Sequence, residues 1–295
     1  MPCFMSYFCC NQNNKTMKDQ KVWFVTGASK GLGLTLVKQL LSSGYKVAAT
    51  SRSIDDLTNA VGSNSDAFLP LAVDLKTESS VADAIEKTIA TYGQIDVVVN
   101  NAGYGLIGGL EELSDEEARA NFDVNVFGSL NVIRKVLPQL RKQNSGHIIN
   151  ISSIGGFTGA FPSFGIYCAT KFAMHGFTEG LAAEVASFGI NATVVSPGYF
   201  RTEFLTSGSV VTPKNQIDEY KVVREVQEAH QNEINGNQPG DPEKGAAAII
   251  TLAESQNPPL HLFLGQDAYD LAYQKIEAVK TDLENWKELT TSTGF

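Results

Sequence analysis

Long apolar runs are missing from this 295-residue chain, and so are clusters of basic side chains. The first absence excludes a membrane-spanning helix, which needs about 20 consecutive apolar residues. The second, with a net charge of −9, speaks against nucleic acid or an anionic membrane as the main partner. Cysteine is scarce: Cys3, Cys9 and Cys10 crowd the amino end and Cys168 stands alone in the body of the chain. Neither a disulfide framework nor a Cys/His metal spacing can be built from that. The four histidines, His147, His175, His230 and His261, are scattered, so each is expected to be satisfied or exposed, and no metal is expected. The amino end also lacks a basic stretch, a long apolar one and a small-residue cleavage site, so it does not read as a signal peptide. Residues 1–20 read as a flexible extension, with Met17 an alternative start, and a cytoplasmic location is expected. No linker, repeat or low-complexity tract divides the remainder, and 43% hydrophobic content is ample for one core. Residues 21–295 are therefore expected to form one domain.

What is present is an ordered alternation of strand and helix patterns. Lys21-Val22-Trp23-Phe24-Val25-Thr26 is apolar without alternation, as befits a strand buried on both faces of a parallel sheet. Gly27-Ala28-Ser29-Lys30-Gly31-Leu32-Gly33 follows at once, and Leu34, Leu36, Val37, Leu40 and Leu41 then recur at helical spacing. Strand, glycine turn and helix in this order make a phosphate cradle, because glycines let the backbone approach a pyrophosphate and the helix offers its positive end. The spacing Gly-x-x-x-Gly-x-Gly differs from the common Gly-x-Gly-x-x-Gly fingerprint.

The second strand, Tyr45-Lys46-Val47-Ala48-Ala49-Thr50, ends in Ser51-Arg52-Ser53. An NAD-binding chain usually places an acid here for the ribose hydroxyls. Arg52, with Lys30 from the glycine turn, can instead pair with the extra phosphate of NADP(H), which a carboxylate would repel. Asp55 and Asp56 fit the start of the next helix.

Further strands read at Phe68 to Val73, at Ile95 to Val99, at His147 to Ile151, at Asn191 to Val195 and at His261 to Leu264. The expected fold is α/β, a single Rossmann-like doubly wound parallel sheet of about seven strands with helices on both faces. Asn100-Asn101-Ala102-Gly103 falls at a carboxyl strand end, the edge that faces the ligand crevice of such a sheet. Asn125 lies inside a helix pattern over residues 114–140, an unfavourable place for an amide that competes with the backbone, and implies a local kink. Ser152-Ser153 ends another strand. Tyr167 and Lys171 lie one turn apart on one face of a helix over residues 163–188, so phenol and ammonium can address one ligand, and Ser153 can converge with Tyr167 on one oxygen. A nearby cation lowers a phenol from its ordinary pKa of about 10 toward the range where it trades protons. Residues 204–241, polar and with an amphipathic stretch from Tyr220 to Ala229, read as a mobile cover over the site. A helix-rich tail occupies residues 242–286.

Thr26-Gly27-x-x-x-Gly31-x-Gly33, Asn100-Asn101-Ala102-Gly103, Asn125, Ser153, Tyr167-x-x-x-Lys171 and Pro197-Gly198 occur in the order and approximate spacing of the short-chain dehydrogenase/reductases. The resemblance covers about Lys21 to Leu264. Ser196-Pro197-Gly198-Tyr199-Phe200-Arg201-Thr202-Glu203-Phe204 is similar to the NADP-preferring carbonyl reductases and the hydroxysteroid- or retinol-dehydrogenase-like members. Ser153 precedes Tyr167 by one residue more than is usual in the family. An extra residue between Thr158 and Phe161 accounts for this and leaves Ser152 as the alternative.

The resemblance implies catalytic roles for four residues. Tyr167 would be general acid in carbonyl reduction and general base in alcohol oxidation, and Lys171 would lower its pKa and bind the nicotinamide ribose. Ser153 would hold the substrate oxygen, and Asn125 would anchor a water of a proton relay. For the cofactor it implies Gly27, Ser29, Gly31, Leu32 and Gly33 at the pyrophosphate, and Lys30 and Arg52 at the extra phosphate. Asp74 and Leu75 would flank the adenine, Asn100 the ribose side, and Pro197, Gly198 and Thr202 the carboxamide, with Ala102 and Gly103 also binding the cofactor. The substrate wall is expected from Tyr104, Phe157, Tyr199, Phe200 and Phe204. The leading expectation is an NADPH-dependent reductase of a ketone or aldehyde. An NADP-linked dehydrogenase of a hydrophobic, steroid- or retinoid-like alcohol, and a non-catalytic NADPH-binding regulator, stay open. A homodimer or homotetramer joined by the helices carrying Asn125 and Tyr167 is expected.

Overall fold

The structure, a computed structural model, describes residues 21–206 and 209–295. The extension expected over residues 1–20, with Met17 and three of the cysteines, lies outside them. In chain order the strands are β1 (Val22–Val25), β2 (Lys46–Ser51), β3 (Phe68–Ala72), β4 (Val97–Asn100), β5 (Gly105–Leu106), β6 (Gly146–Ile151), β7 (Ile190–Pro197), β8 (Val210–Val211) and β9 (His261–Leu264). The helices are α1 (Gly31–Ser42), α2 (Ile54–Val61), α3 (Glu78–Tyr92), α4 (Asp115–Phe122), α5 (Gly128–Gln143), α6 (Gly165–Val185), α7 (Lys221–Ala229), α8 (Pro242–Glu254), α9 (Gln266–Asn285) and α10 (Lys287–Thr291).

Seven strands form one parallel sheet in the order β3-β2-β1-β4-β6-β7-β9. The unbroken apolar runs follow from its two covered faces, since successive side chains point to opposite sides. Trp23, Val25, Val47, Ala49, Val97 and Val99 face a core closed by α1, α2 and α8. Phe24, Ala48, Val98 and Ile148 face the opposite core, closed by α3, α5 and α6. The chain moves outward from β1 through β3 and then returns to β4 on the other side of β1. That reversal opens a crevice at the carboxyl ends of β1 and β4.

Helix starts follow their capping residues. Ser53 caps α2 by accepting from Asp56 N at 3.1 Å, and Asp55 and Asp56 occupy its first turn. Ser114 and Glu117 form a reciprocal capping box on α4. The pattern over residues 114–140 is not one helix. Between α4 and α5 it widens into a π turn, Asp123–Phe127, centred on Asn125, the kind of local bulge often found at functional sites. Two strands were not foreseen: β5 and β8 pair in parallel and fasten part of the 204–241 segment beside the crevice. The tail carries helix further than expected, α10 ending at Thr291.

Candidate active site

The glycine turn after β1 is fitted to the loop after β4. Gly27 has φ +66°, and a Cβ there would lie 2.7 Å from Ala102 Cα. A Cβ on Gly33 would lie 2.5 Å from Gly27 O and strike the Asn101 amide. Asn101 Nδ2 donates to Thr26 O at 3.0 Å and to Gly27 O at 2.9 Å, while Thr26 Oγ1 accepts from the backbone N–H groups of Asn101 and Ala102. The turn is thereby held open as a backbone-lined cradle that side chains would fill. Ser29, Lys30, Gly31 and Leu32 continue its wall, with Ser51 and Arg52 from the end of β2.

These residues line one end of a cavity of about 1070 Å³, large enough for a cofactor-sized ligand. Asp74 and Leu75 form its side beyond β3, and Ala102, Gly103, Pro197, Gly198 and Thr202 its floor and roof. Asp74 also ties its own loop, accepting from Lys76 N and Thr77 Oγ1. Asn100 does not contribute its side chain: it is 1% exposed and donates to Asn150 Oδ1 at 2.8 Å. The next residue, Asn101, faces the cavity instead, because side chains alternate at a strand end.

Ser153, Tyr167 and Lys171 meet in the middle of the cavity. Of the two candidate serines, Ser152 is buried and donates to Lys171 O at 2.9 Å. Ser153 Oγ accepts from Gly155 N at 3.1 Å and lines the cavity together with Tyr167. Lys171 Nζ donates to Ile151 O at 2.9 Å and lies 5.7 Å from the centre of the Tyr167 ring. Burial pushes Lys171 down to about 8. Burial also pushes the Tyr167 phenol up, opposed by the nearby Ser153 hydroxyl. Desolvation dominates the tyrosine's shift, and the Lys171 ammonium is engaged with the Ile151 carbonyl.

Asn125 is fully buried and stands behind this centre. Its Oδ1 accepts from Tyr104 N at 3.0 Å, and its Nδ2 donates to Tyr104 O and Thr170 Oγ1, each at 3.1 Å. The amide thus joins the π turn, the loop after β4 and α6, with its side-chain bonds made to protein partners rather than to the cavity.

The remaining end of the cavity is aromatic. Phe204 lies 6.0 Å and Phe164 6.1 Å from Tyr167 between ring centres. The Tyr199 hydroxyl pairs with His230 Nε2 at 2.9 Å. Tyr104 and Phe200 also line the cavity, but Phe157 does not. It packs on Phe263 and His175, against the base of α9, because the short turn after β6 (Ile154–Gly156) faces it outward from the crevice. Phe164, Cys168 and His230 line the cavity without having been foreseen. Phe164 and Cys168 flank the Tyr167 signal in sequence, whereas His230 becomes recognisable only where α7 ends. Burial raises the Cys168 thiol to about 11, which leaves it inert.

Outside the cavity, His175, Glu179 and His261 bring ligand-type atoms within 4.8 Å of one another. His175 Nε2 is paired with Ser196 Oγ at 2.9 Å and His261 Nε2 lies 3.8 Å from Glu179 Oε1. Both imidazoles thus have protein partners.

The short chain dehydrogenase family matches residues 21–209. Oxidoreductase BOA17 of Botryotinia fuckeliana is 35% identical over 93% of this chain and 99% of its own length. The 3-ketodihydrosphingosine reductase of Bacteroides thetaiotaomicron is 36% identical over 83% and 88%. A crystal structure of a short-chain dehydrogenase from Streptomyces avermitilis superposes with a TM-score of 0.85 at 36% identity, covering 94% of this chain and 99% of that one. Matched along almost its whole length in sequence and in fold, the chain belongs to the short-chain dehydrogenases.

Proposed function

We propose that the protein is an NADPH-dependent reductase that converts a ketone or aldehyde to an alcohol. The observation that carries this reading is the convergence of Ser153, Tyr167 and Lys171 between a glycine cradle and an aromatic pocket. Bound NADPH would supply the hydride. The cradle from Gly27 to Gly33 would hold its pyrophosphate, and Lys30 and Arg52 would address its additional phosphate with no acid nearby on β2 to oppose them.

Ser153 and Tyr167 would hold the substrate oxygen, and Tyr167 would give it the proton. A phenol raised by burial stays protonated at neutral pH, the form a proton donor needs. Lys171, positively charged below about 8, would favour negative charge developing nearby. Asn125 would position the Tyr104 backbone and α6 around this centre. Phe164, Tyr199 and Phe204 would enclose an apolar substrate body, and the relative named 3-ketodihydrosphingosine reductase fits that class. The same pocket supports the second reading, oxidation of a hydrophobic alcohol with NADP. Exposed Phe127 and Phe172, on the π turn and on α6, support assembly of copies through those elements.

The test is NADPH and NADH oxidation with a panel of apolar ketones and aldehydes, the Tyr167→Phe variant alongside. Turnover with NADPH should fall about 100- to 10,000-fold in the variant, with NADPH binding kept. Equal turnover in the two proteins would remove Tyr167 from the proton-donor role.

A further inference from the structure

The aromatic end of the cavity holds one polar pair whose hydrogens can be placed from its partners. His230 is buried at the start of the π turn His230–Ile234 that follows α7, and its Nδ1 lies 2.7 Å from Val226 O. A carbonyl oxygen only accepts, so Nδ1 carries the hydrogen. Burial holds this imidazole below its ordinary pKa, with the Val226 bond opposing, and the ring is neutral at neutral pH. Its Nε2 therefore offers a lone pair and no hydrogen. The Tyr199 hydroxyl lies 2.9 Å from that nitrogen, a contact that forms only if the phenol donates its single hydrogen. What the Tyr199 oxygen has left is the capacity to accept. Among the described residues no other group bonds it. Burial, first among its causes, also pushes this phenol up, so it does not ionise at neutral pH.

We infer that Tyr199, oriented by His230, is a specificity residue that accepts a hydrogen bond from a hydroxyl of the substrate. The carbonyl compound that fits is then apolar in its body and carries a free hydroxyl remote from the reacting carbon. Both residues line the cavity. Phe164 packs on His230 at 4.8 Å and on the reactive Tyr167 at 6.1 Å between ring centres, so a ligand lying along this one ring reaches both polar ends. Because the pair packs on Phe164 and not on the glycine cradle, the donor is the substrate rather than the cofactor. An ether or a second ketone in that place would set acceptor against acceptor, and a methyl group would leave the phenol oxygen unmet. The inference rests on the proposed reaction for the carbonyl end alone; the donor–acceptor pattern of the pair is independent of it.

The probes are para-hydroxyphenyl alkyl ketones of stepwise longer chain, each beside its methyl ether and its unsubstituted phenyl parent, with the full-length protein and NADPH. At the chain length that spans the two ends, the hydroxyl form should be favoured about 10-fold in kcat/KM over both analogues. Tyr199→Phe should bring that ratio close to one. His230→Phe frees the phenol hydrogen, so Tyr199 can donate, and the methyl ether should gain on the hydroxyl form. A merely structural role for the pair would move all three compounds alike. The same ratio is read as affinity by calorimetry on protein loaded with oxidised NADP. Loss of all turnover with that binding ratio kept would sink the reductase reading and leave the subsite standing. Equal or undetectable binding of the three compounds at every chain length would overturn the subsite, as would a hydroxyl preference that survives Tyr199→Phe. So would weaker NADPH binding in that variant with the ratio unchanged, which would place the phenol at the cofactor.

Discussion

At the scale of single residues, the reactive centre is governed by burial more than by pairing. Lys171 is held near 8 because its ammonium is desolvated, so it loses its charge as pH rises through that value. Tyr167 is shifted the other way and keeps its proton throughout that range. Reduction should therefore be level from about pH 6 to 7 and fall above about 8 as Lys171 deprotonates, and Lys171→Arg, always charged, should move that limb to higher pH. A pH profile of kcat/KM for both proteins decides it, and an unmoved limb would assign the ionisation elsewhere. Arg52 lies at the far end of the same cavity. Arg52→Asp should weaken NADPH binding about 10- to 100-fold and leave NADH within a few-fold, as read by cofactor titration; equal losses would place Arg52 away from the phosphate.

At the scale of elements, the segment over the aromatic pocket is anchored through one buried carboxylate. Glu112 is 4% exposed and accepts from Gly109 N at 2.8 Å and Ile217 N at 2.9 Å, with the Arg224 guanidinium against it. Burial alone would raise this carboxyl, but the two backbone donors and Arg224 outweigh it and hold it below the usual range. Glu112→Ala leaves those donors unpaired and should cost about 3 kcal/mol locally. Protease cleavage between Pro213 and His230 should become faster and the substrate KM should rise, with the NADPH affinity kept; unchanged cleavage would show that β5 and β8 suffice as anchors. No such clip was legible in the sequence, because Glu112 and Arg224 belong to separate patterns and only the fold brings them together. The seven sheet strands and the glycine cradle were legible, since a continuous apolar run or a strand–glycine–helix order is local. β5 and β8 are two residues each, too short to carry a period. The orientation of Asn100 and Asn101, and the outward turn of Phe157, depend on where a strand ends to within one residue. Asn125 was recognisable as a misfit in a helix, though not as the centre of a π turn.

At the scale of the whole molecule, two buried histidines, His147 on β6 and His175 on α6, should make stability fall in acid. His147 and His175 are buried, and each is pushed down to about 4. For His147 the cause is burial, with Lys21 adding to it; for His175 burial again leads, with His261 and Lys171 contributing. Thr193 Oγ1 donates to Pro259 O at 2.7 Å, so the 2.9 Å contact with His147 Nε2 requires a proton on that nitrogen. The sign follows from the unfolded chain taking up protons first. Near pH 7 both states are neutral and the stability is intact. As pH falls from about 6.5 toward 4, the unfolded histidines become charged while the buried ones resist, and each can remove on the order of 2 kcal/mol. Because His147 on β6 reaches Thr193 on the adjacent strand β7, two residues beyond its register partner Asn191, the loss bears on the sheet and not on a peripheral loop. Urea unfolding should show a midpoint that drops from pH 7 to pH 5, and His147→Gln, which does not titrate, should flatten that drop while lowering stability at pH 7. A variant that loses stability equally at both pH values would show that His147 matters only for its packing and its hydrogen bond, and would leave the acid sensitivity to His175.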